Sequence, residues 1–125
     1  MNSDLSDVLK YSDEVAAAIA SGSPIVALES TIISHGLPRP TNLEVAREVE
    51  AIVRAHGATP ATIAVIDGSV HIGLSDEELV TIATRDNILK ASSRDLAIVV
   101  AFVKIAETTV AATAHLAVMA GIKVF

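Results

Sequence analysis

The sequence predicts an α/β domain, because short apolar runs alternate with amphipathic stretches and the apolar content is aliphatic rather than aromatic. Hydrophobic residues make up 51% of the 125 positions and aromatics only 2%, namely Tyr11, Phe102 and Phe125. A core of Ala, Val, Ile and Leu suits a sheet covered by close-packed helices. The length is that of a single domain with one sizeable core, spanning 1–125.

Ser12 is placed to cap a short helix through Val15 and Ile19, and Gly22 with Pro24 stops it. A first strand over 25–28 follows. Segment 29–40 is dense in polar and turn residues, and Pro38 and Pro40 keep its end extended. Thr41 and Glu44 have capping-box spacing, and Val45, Val49, Ile52 and Val53 mark the inward face of a helix that ends near His56-Gly57.

Residues 62–66 read as a second buried strand, and Asp67-Gly68 is a turn pair that folds it onto 70–72 as a hairpin. Ser75 and Glu78 form another capping box, opening a helix with Leu79, Ile82 and Ala83 inward. After Asn87, an extended piece over 88–90 leads to Ser92-Ser93, the expected cap of an apolar helix over 96–105. A further helix covers 110–120, and 121–125 reads as a helix stop followed by the opening of a new strand. An unanswered sheet strand predicts that the natural protein continues past Phe125. There is no internal repeat, low-complexity tract or linker.

Composition removes several function classes. The net charge of −6 and the scarcity of stacking rings argue against a nucleic-acid partner, while a small phosphorylated substrate needs only a few local donors. With no cysteine, disulfides, thiolate metal sites and Cys nucleophiles are all excluded, which fits a cytoplasmic protein. The N-terminus is acidic where a signal peptide is basic, and the longest apolar run, 96–103, is too short to span a bilayer. A soluble protein without membrane association is expected. The glycine-rich nucleotide fingerprints, paired helical histidines and calcium loops are absent. His35, His56, His71 and His115 lie far apart without metal-ligand spacing, so each reads as a surface or hydrogen-bonded core histidine.

Chemistry is expected first at Glu29, where a buried strand gives way to a polar loop. A carboxyl group in a dry pocket on a rigid element favours its protonated form and can donate a proton. The same position also suits a Glu that only accepts backbone hydrogen bonds or caps a helix. Two segments, Lys90-Ala91-Ser92-Ser93-Arg94 and Thr108-Thr109-Val110, place hydroxyls and free N–H groups at a helix start, where an anion binds readily. Against this, Ser93 and Thr108 suffice as ordinary caps, with Lys90 and Arg94 solvated.

The run Val26-Ala27-Leu28-Glu29-Ser30-Thr31-Ile32-Ile33-Ser34-His35-Gly36-Leu37-Pro38 is followed in order by 60–68, 71–75, 90–96 and 108–113. Together these segments resemble the pseudouridine-5'-phosphate glycosidases, also called indigoidine synthase A-like proteins, over about 12–125. The resemblance implies an α/β/α layered fold with a mostly parallel sheet, truncated partway. It further implies reversible cleavage of the C-glycosidic bond of pseudouridine 5'-phosphate to uracil and ribose 5-phosphate.

Within that family a lysine attacks the anomeric carbon, a glutamate moves a proton, and a manganese ion organises the site through water. The resemblance assigns the glutamate to Glu29, and substrate contacts to Lys90 and the Val110 backbone. The family's nucleophilic lysine and metal-ligand aspartate fall beyond Phe125, so no metal ligand is expected in these residues, and Lys123 is not the nucleophile. A homotrimer is implied for the whole enzyme. The chain departs from the family at Ser93, where an arginine is usual, and at Glu107, where a glycine is usual. The alternative is a non-catalytic relic or interaction module that keeps part of the fold.

Overall fold

The computed structural model describes residues 5–125. The acidic N-terminal signature read from the sequence lies partly in 1–4, outside the described residues. After a 3-10 turn at Leu5–Val8, the chain runs β1 (Leu9–Tyr11), α1 (Asp13–Ser21), β2 (Ile25–Leu28), a π-helical turn (Ile32–Gly36) and α2 (Thr41–Ala55). It continues through β3 (Thr59–Ile66), β4 (Ser69–Ile72), α3 (Asp76–Thr84), β5 (Leu89–Ala91), α4 (Leu96–Ala101), β6 (Ala106–Thr108) and α5 (Val110–Met119).

The sheet has the order β1-β4-β3-β6-β5, with β2 also on β3. Pairing is mixed: β1 with β4, β2 with β3 and β5 with β6 are parallel, whereas β3 is antiparallel to β4 and β6. The period of two along β3 sends its residues to opposite faces. Ala61, Ile63 and Val65 pack with Val15, Leu96, Val99, Ala112 and Leu116 from α1, α4 and α5. Ala64 and Ile66 pack with Ile33, Ala46, Leu79 and Ile82 from the π-turn, α2 and α3. Helices therefore cover both faces, the α/β/α layering that the resemblance implies.

Local chemistry explains several boundaries. The Ser12 hydroxyl accepts the Val15 N–H, and Gly22 closes α1 at φ 70°, where a Cβ is disfavoured. The Asp67-Gly68 turn has φ of 48° and 77°, the left-handed pair that suits a two-residue hairpin. The Ser75–Glu78 capping box forms in full, and Leu79, Ile82 and Ala83 are the buried residues of α3. Gly121 ends the last helix, and beyond it Val124 bridges Val26 in parallel, with its carbonyl accepting the Ala27 N–H.

Five expectations need correction. Thr41–Glu44 makes no capping box: Pro40 occupies the cap position and its side chain cannot bond. The buried face of α2 is Asn42, Ala46 and Glu50, while Val49 and Ile52 stay 38% and 50% exposed. Polar anchors set this rotation. Asn42 Nδ2 donates to the carbonyls of Ile33 and Ala83 at 2.9 and 2.7 Å, and Glu50 Oε2 accepts the Thr62 hydroxyl at 2.7 Å.

The helix expected over 96–105 stops at Ala101, because Val103 turns to φ 53° and the chain enters β6. Ser92-Ser93 does not cap it; Asp95 holds the cap position, and its Oδ2 instead accepts the Ser92 hydroxyl and N–H at 2.6 and 3.0 Å. Thr109, not Thr108, caps α5 through the Ala112 N–H. The strands β1 and β6 and the π-turn were not expected; each is too short to carry a clear period.

Candidate active site

The three segments singled out by the sequence converge at one seam in the sheet. β2 lies along the first half of β3, from Ile25 opposite Thr59 to Leu28 opposite Thr62. β6 lies along the second half in the opposite sense, with Glu107 opposite Ala64 and Ala106 opposite Val65. Their carboxyl ends therefore meet at Ile63.

Ser30 closes the seam. Its hydroxyl donates to the Ile63 carbonyl at 2.7 Å and accepts the Thr108 N–H at 2.8 Å. The Thr108 hydroxyl donates to the same carbonyl at 2.8 Å and meets the Thr113 hydroxyl at 2.8 Å. Ser30, Thr108 and Thr113 are fully buried, and their hydroxyls are mutually satisfied. Thr31 adds a bond from its hydroxyl to the Thr108 carbonyl at 3.0 Å.

On the other side of β6, β5 runs parallel with Ala91 opposite Thr108, and the Thr109 N–H donates to the Ala91 carbonyl at 3.2 Å. The loops after β2, β5 and β6 thus leave from neighbouring points. In open α/β sheets the crevice outside the carboxyl ends of strands, where connections diverge, is where ligands bind.

Each expected residue has a definite place there. Glu29 is half-buried and lines a cavity of about 220 Å³ whose walls are largely apolar, with Leu28, Ile32, Leu37, Val45 and Val49. Lys90 is exposed on β5, in register opposite Glu107. Val110 is the first residue of α5 and is exposed. Ser92 turns its donors onto Asp95, and these two hydrogen bonds, helped by Arg94, hold the Asp95 carboxyl below the usual carboxylate range.

Sequence reasoning missed the partner of His35. Glu107 is fully buried, and His35 Nδ1 lies 2.7 Å from its Oε1. That approach is within ion-pair distance, although neither carboxylate oxygen has a donor in hydrogen-bond alignment. The signal available was the paired hydroxyl motifs at 30–31 and 108–109, which tie the two segments together. Among the described residues, no three His, Asp or Glu side chains gather to hold a metal ion, and no helix is long and apolar enough to cross a membrane.

The family pattern described as "Indigoidine synthase A like protein" matches residues 14–125. The chain belongs to the indigoidine synthase A-like family. Relatives of this family include a pseudouridine-5'-phosphate glycosidase of Lysinibacillus sphaericus (strain C3-41), 54% identical over 121 residues. Another, of Petrotoga mobilis (strain DSM 10674 / SJ95), is 57% identical over 117 residues and bears the same name. These alignments take in 97% and 94% of this chain but 40% and 38% of the relatives. The chain thus spans well under half the length of the curated relatives it matches.

Solved structures agree on the family fold. The prealnumycin C-glycosynthase AlnA, crystallised with ribulose 5-phosphate, superposes with a TM-score of 0.83 at 40% identity, over 94% of this chain and 38% of that one. An indigoidine synthase A-like protein of Thermotoga maritima superposes at 0.82 with 36% identity, over the same shares.

Proposed function

We propose that this chain supplies the N-terminal part of a single pseudouridine-5'-phosphate glycosidase domain, which reversibly cleaves the C-glycosidic bond to give uracil and ribose 5-phosphate. The observation that supports this reading is that the connections after β2, β5 and β6, the segments that carry Glu29, Lys90 and Val110, leave one seam of the sheet, in a chain of this family. Support for the substrate class comes from the names of the relatives and from the pentose phosphate bound to AlnA.

Glu29 acts as the proton donor and acceptor. Its apolar surroundings keep bulk water away from one side of the carboxyl group, which favours proton transfer to a departing base over loss to solvent. Lys90 contributes positive charge for the substrate from β5, and the N–H of Val110 opens the first turn of α5, where a helix end favours an anion. An amine nucleophile must come from a lysine that is not among these residues, as the resemblance implies.

Manganese belongs to this reading as the family's metal. The described residues offer no set of ligands for it, so no step performed by them passes through the ion. The working enzyme is a cytoplasmic homotrimer in this reading.

The decisive experiment is uracil release from pseudouridine 5'-phosphate. In a chain that includes the nucleophilic lysine, Glu29→Gln is expected to leave folding intact and lower kcat by about 100-fold or more; full activity would remove the proton-transfer role. The 125 residues alone, with manganese present, are expected to release no uracil. Turnover by them would overturn the assignment of the attacking amine.

A further inference from the structure

Glu107 presents an unresolved electrostatic problem inside the candidate site. Its side chain has no exposure, it stands in the middle of the three-residue strand β6, and both carboxylate oxygens lack an aligned donor. Leaving a buried carboxylate without partners is costly. His35 Nδ1 lies 2.7 Å from Oε1, and Lys90 is the register neighbour of Glu107 on β5.

His35 sits on the π-helical turn Ile32–Gly36, in the same connection as Glu29. Such turns occur often at functional sites. The imidazole is 52% exposed, and its Nε2 has no hydrogen-bond partner among the described residues. One ring nitrogen thus faces a buried carboxylate while the other is left open.

We propose that His35 and Glu107 form a dyad of this site, in which Glu107 is a positioning residue that fixes the imidazole proton on Nδ1 and leaves Nε2 as an acceptor for a ligand N–H or O–H. The chemistry decides between two arrangements. If Glu107 is ionised, Nδ1 must carry a proton, since two lone pairs cannot meet at 2.7 Å. If Glu107 is protonated, it donates to Nδ1 and the ring proton moves to Nε2. Only the first arrangement brings a donor to a carboxylate oxygen of Glu107. The ligand class, a pentose hydroxyl or a nucleobase N–H, rests on the glycosidase reading above; the dyad itself does not.

The test is 15N-resolved NMR of the histidine side chains in the full chain, at a pH well above the ordinary imidazole range. The expected result is a protonated Nδ1 and an unprotonated Nε2 for His35. Glu107→Leu removes the acceptor at similar volume and is expected to move the proton to Nε2, while Glu107→Gln, whose amide oxygen can still accept, restores Nδ1–H. A wild-type His35 with its proton on Nε2, or no change in Glu107→Leu, would overturn the dyad. Should Glu107→Leu fail to fold, the wild-type spectrum decides alone.

Ribose 5-phosphate, added to a chain that includes the nucleophilic lysine, then probes the open nitrogen. The His35 Nε2 resonance is expected to move together with that of the Lys90 amine. Movement at Lys90 with none at His35 refutes the ligand-facing role. Movement at neither refutes the glycosidase reading and the ligand-facing role together, and the proton position still decides the dyad.

Discussion

At the residue scale, the seam is held by hydroxyls rather than by apolar packing. Ser30 and Thr108 share the Ile63 carbonyl, and each satisfies a group that would otherwise be buried unpaired. Ser30→Ala is expected to destabilise the fold by about 1–3 kcal/mol, measured by urea unfolding, because it orphans the buried Thr108 N–H. His71 shows the opposite electrostatic situation. Burial pushes its imidazole below the ordinary value, Lys10 adds to the shift, and contact with Glu78 opposes it without prevailing.

The sign of the resulting pH dependence follows from proton counting. The unfolded chain takes up a proton near the ordinary imidazole value of 6.5, and the folded chain does so only at lower pH. Between these two values the unfolded state binds more protons, so stability falls as pH is lowered through that window and levels off below it. Thermal unfolding at pH 7.5 and 5.5 should therefore show a smaller acid-induced loss for His71→Gln than for the wild type. An equal loss in both would mean that burial does not govern this histidine.

At the scale of elements, what could be read from the sequence depended on whether the local signal was decided locally. The α1 and α3 caps, the Asp67-Gly68 hairpin and the inward face of α3 follow from residues within a few positions of one another, and all are present. The face of α2 could not be read in this way. Asn42 and Glu50 turn inward to reach carbonyls and a hydroxyl on the π-turn, α3 and β3, and no local pattern announces those partners. The site was legible as three motifs, but the Ser30–Thr108 link and the His35–Glu107 contact join residues far apart in sequence.

Two element-scale outcomes are testable. Ser75→Ala should cost about 1 kcal/mol and speed amide exchange in the first turn of α3, since it removes one half of the capping box. Gly73→Ala should cost more than roughly 1 kcal/mol. Its φ of 87° disfavours a Cβ, and that atom would lie 2.4 Å from the Ser12 hydroxyl and 2.7 Å from Val15 Cγ2. A neutral result at Gly73 would show that the start of α1 gives way easily.

At the scale of the whole molecule, β3 is the element on which everything else depends. It pairs with β2, β4 and β6 and separates the two helical layers, with Ala61, Ile63 and Val65 on one side and Ala64 and Ile66 on the other. Ile63→Ala removes a fully buried side chain and is expected to cost about 2–5 kcal/mol. Amide exchange should accelerate together in β2, β4 and β6 rather than in β3 alone, because all three take their register from it. Acceleration confined to one neighbour would mean that the sheet opens in parts.

The meeting of β2 and β6 at Ile63 also makes β3 a ruler. Four of its residues are matched to β2 and two to β6, so the lengths of the two partner strands are coupled through a third. A one-residue insertion in β2 would push Ser30 past the carbonyl it shares with Thr108, and a one-residue insertion in β3 would part the two strand ends while turning half of its side chains to the wrong layer. The strands that frame the seam therefore cannot change length without moving the connection that carries Glu29 and His35.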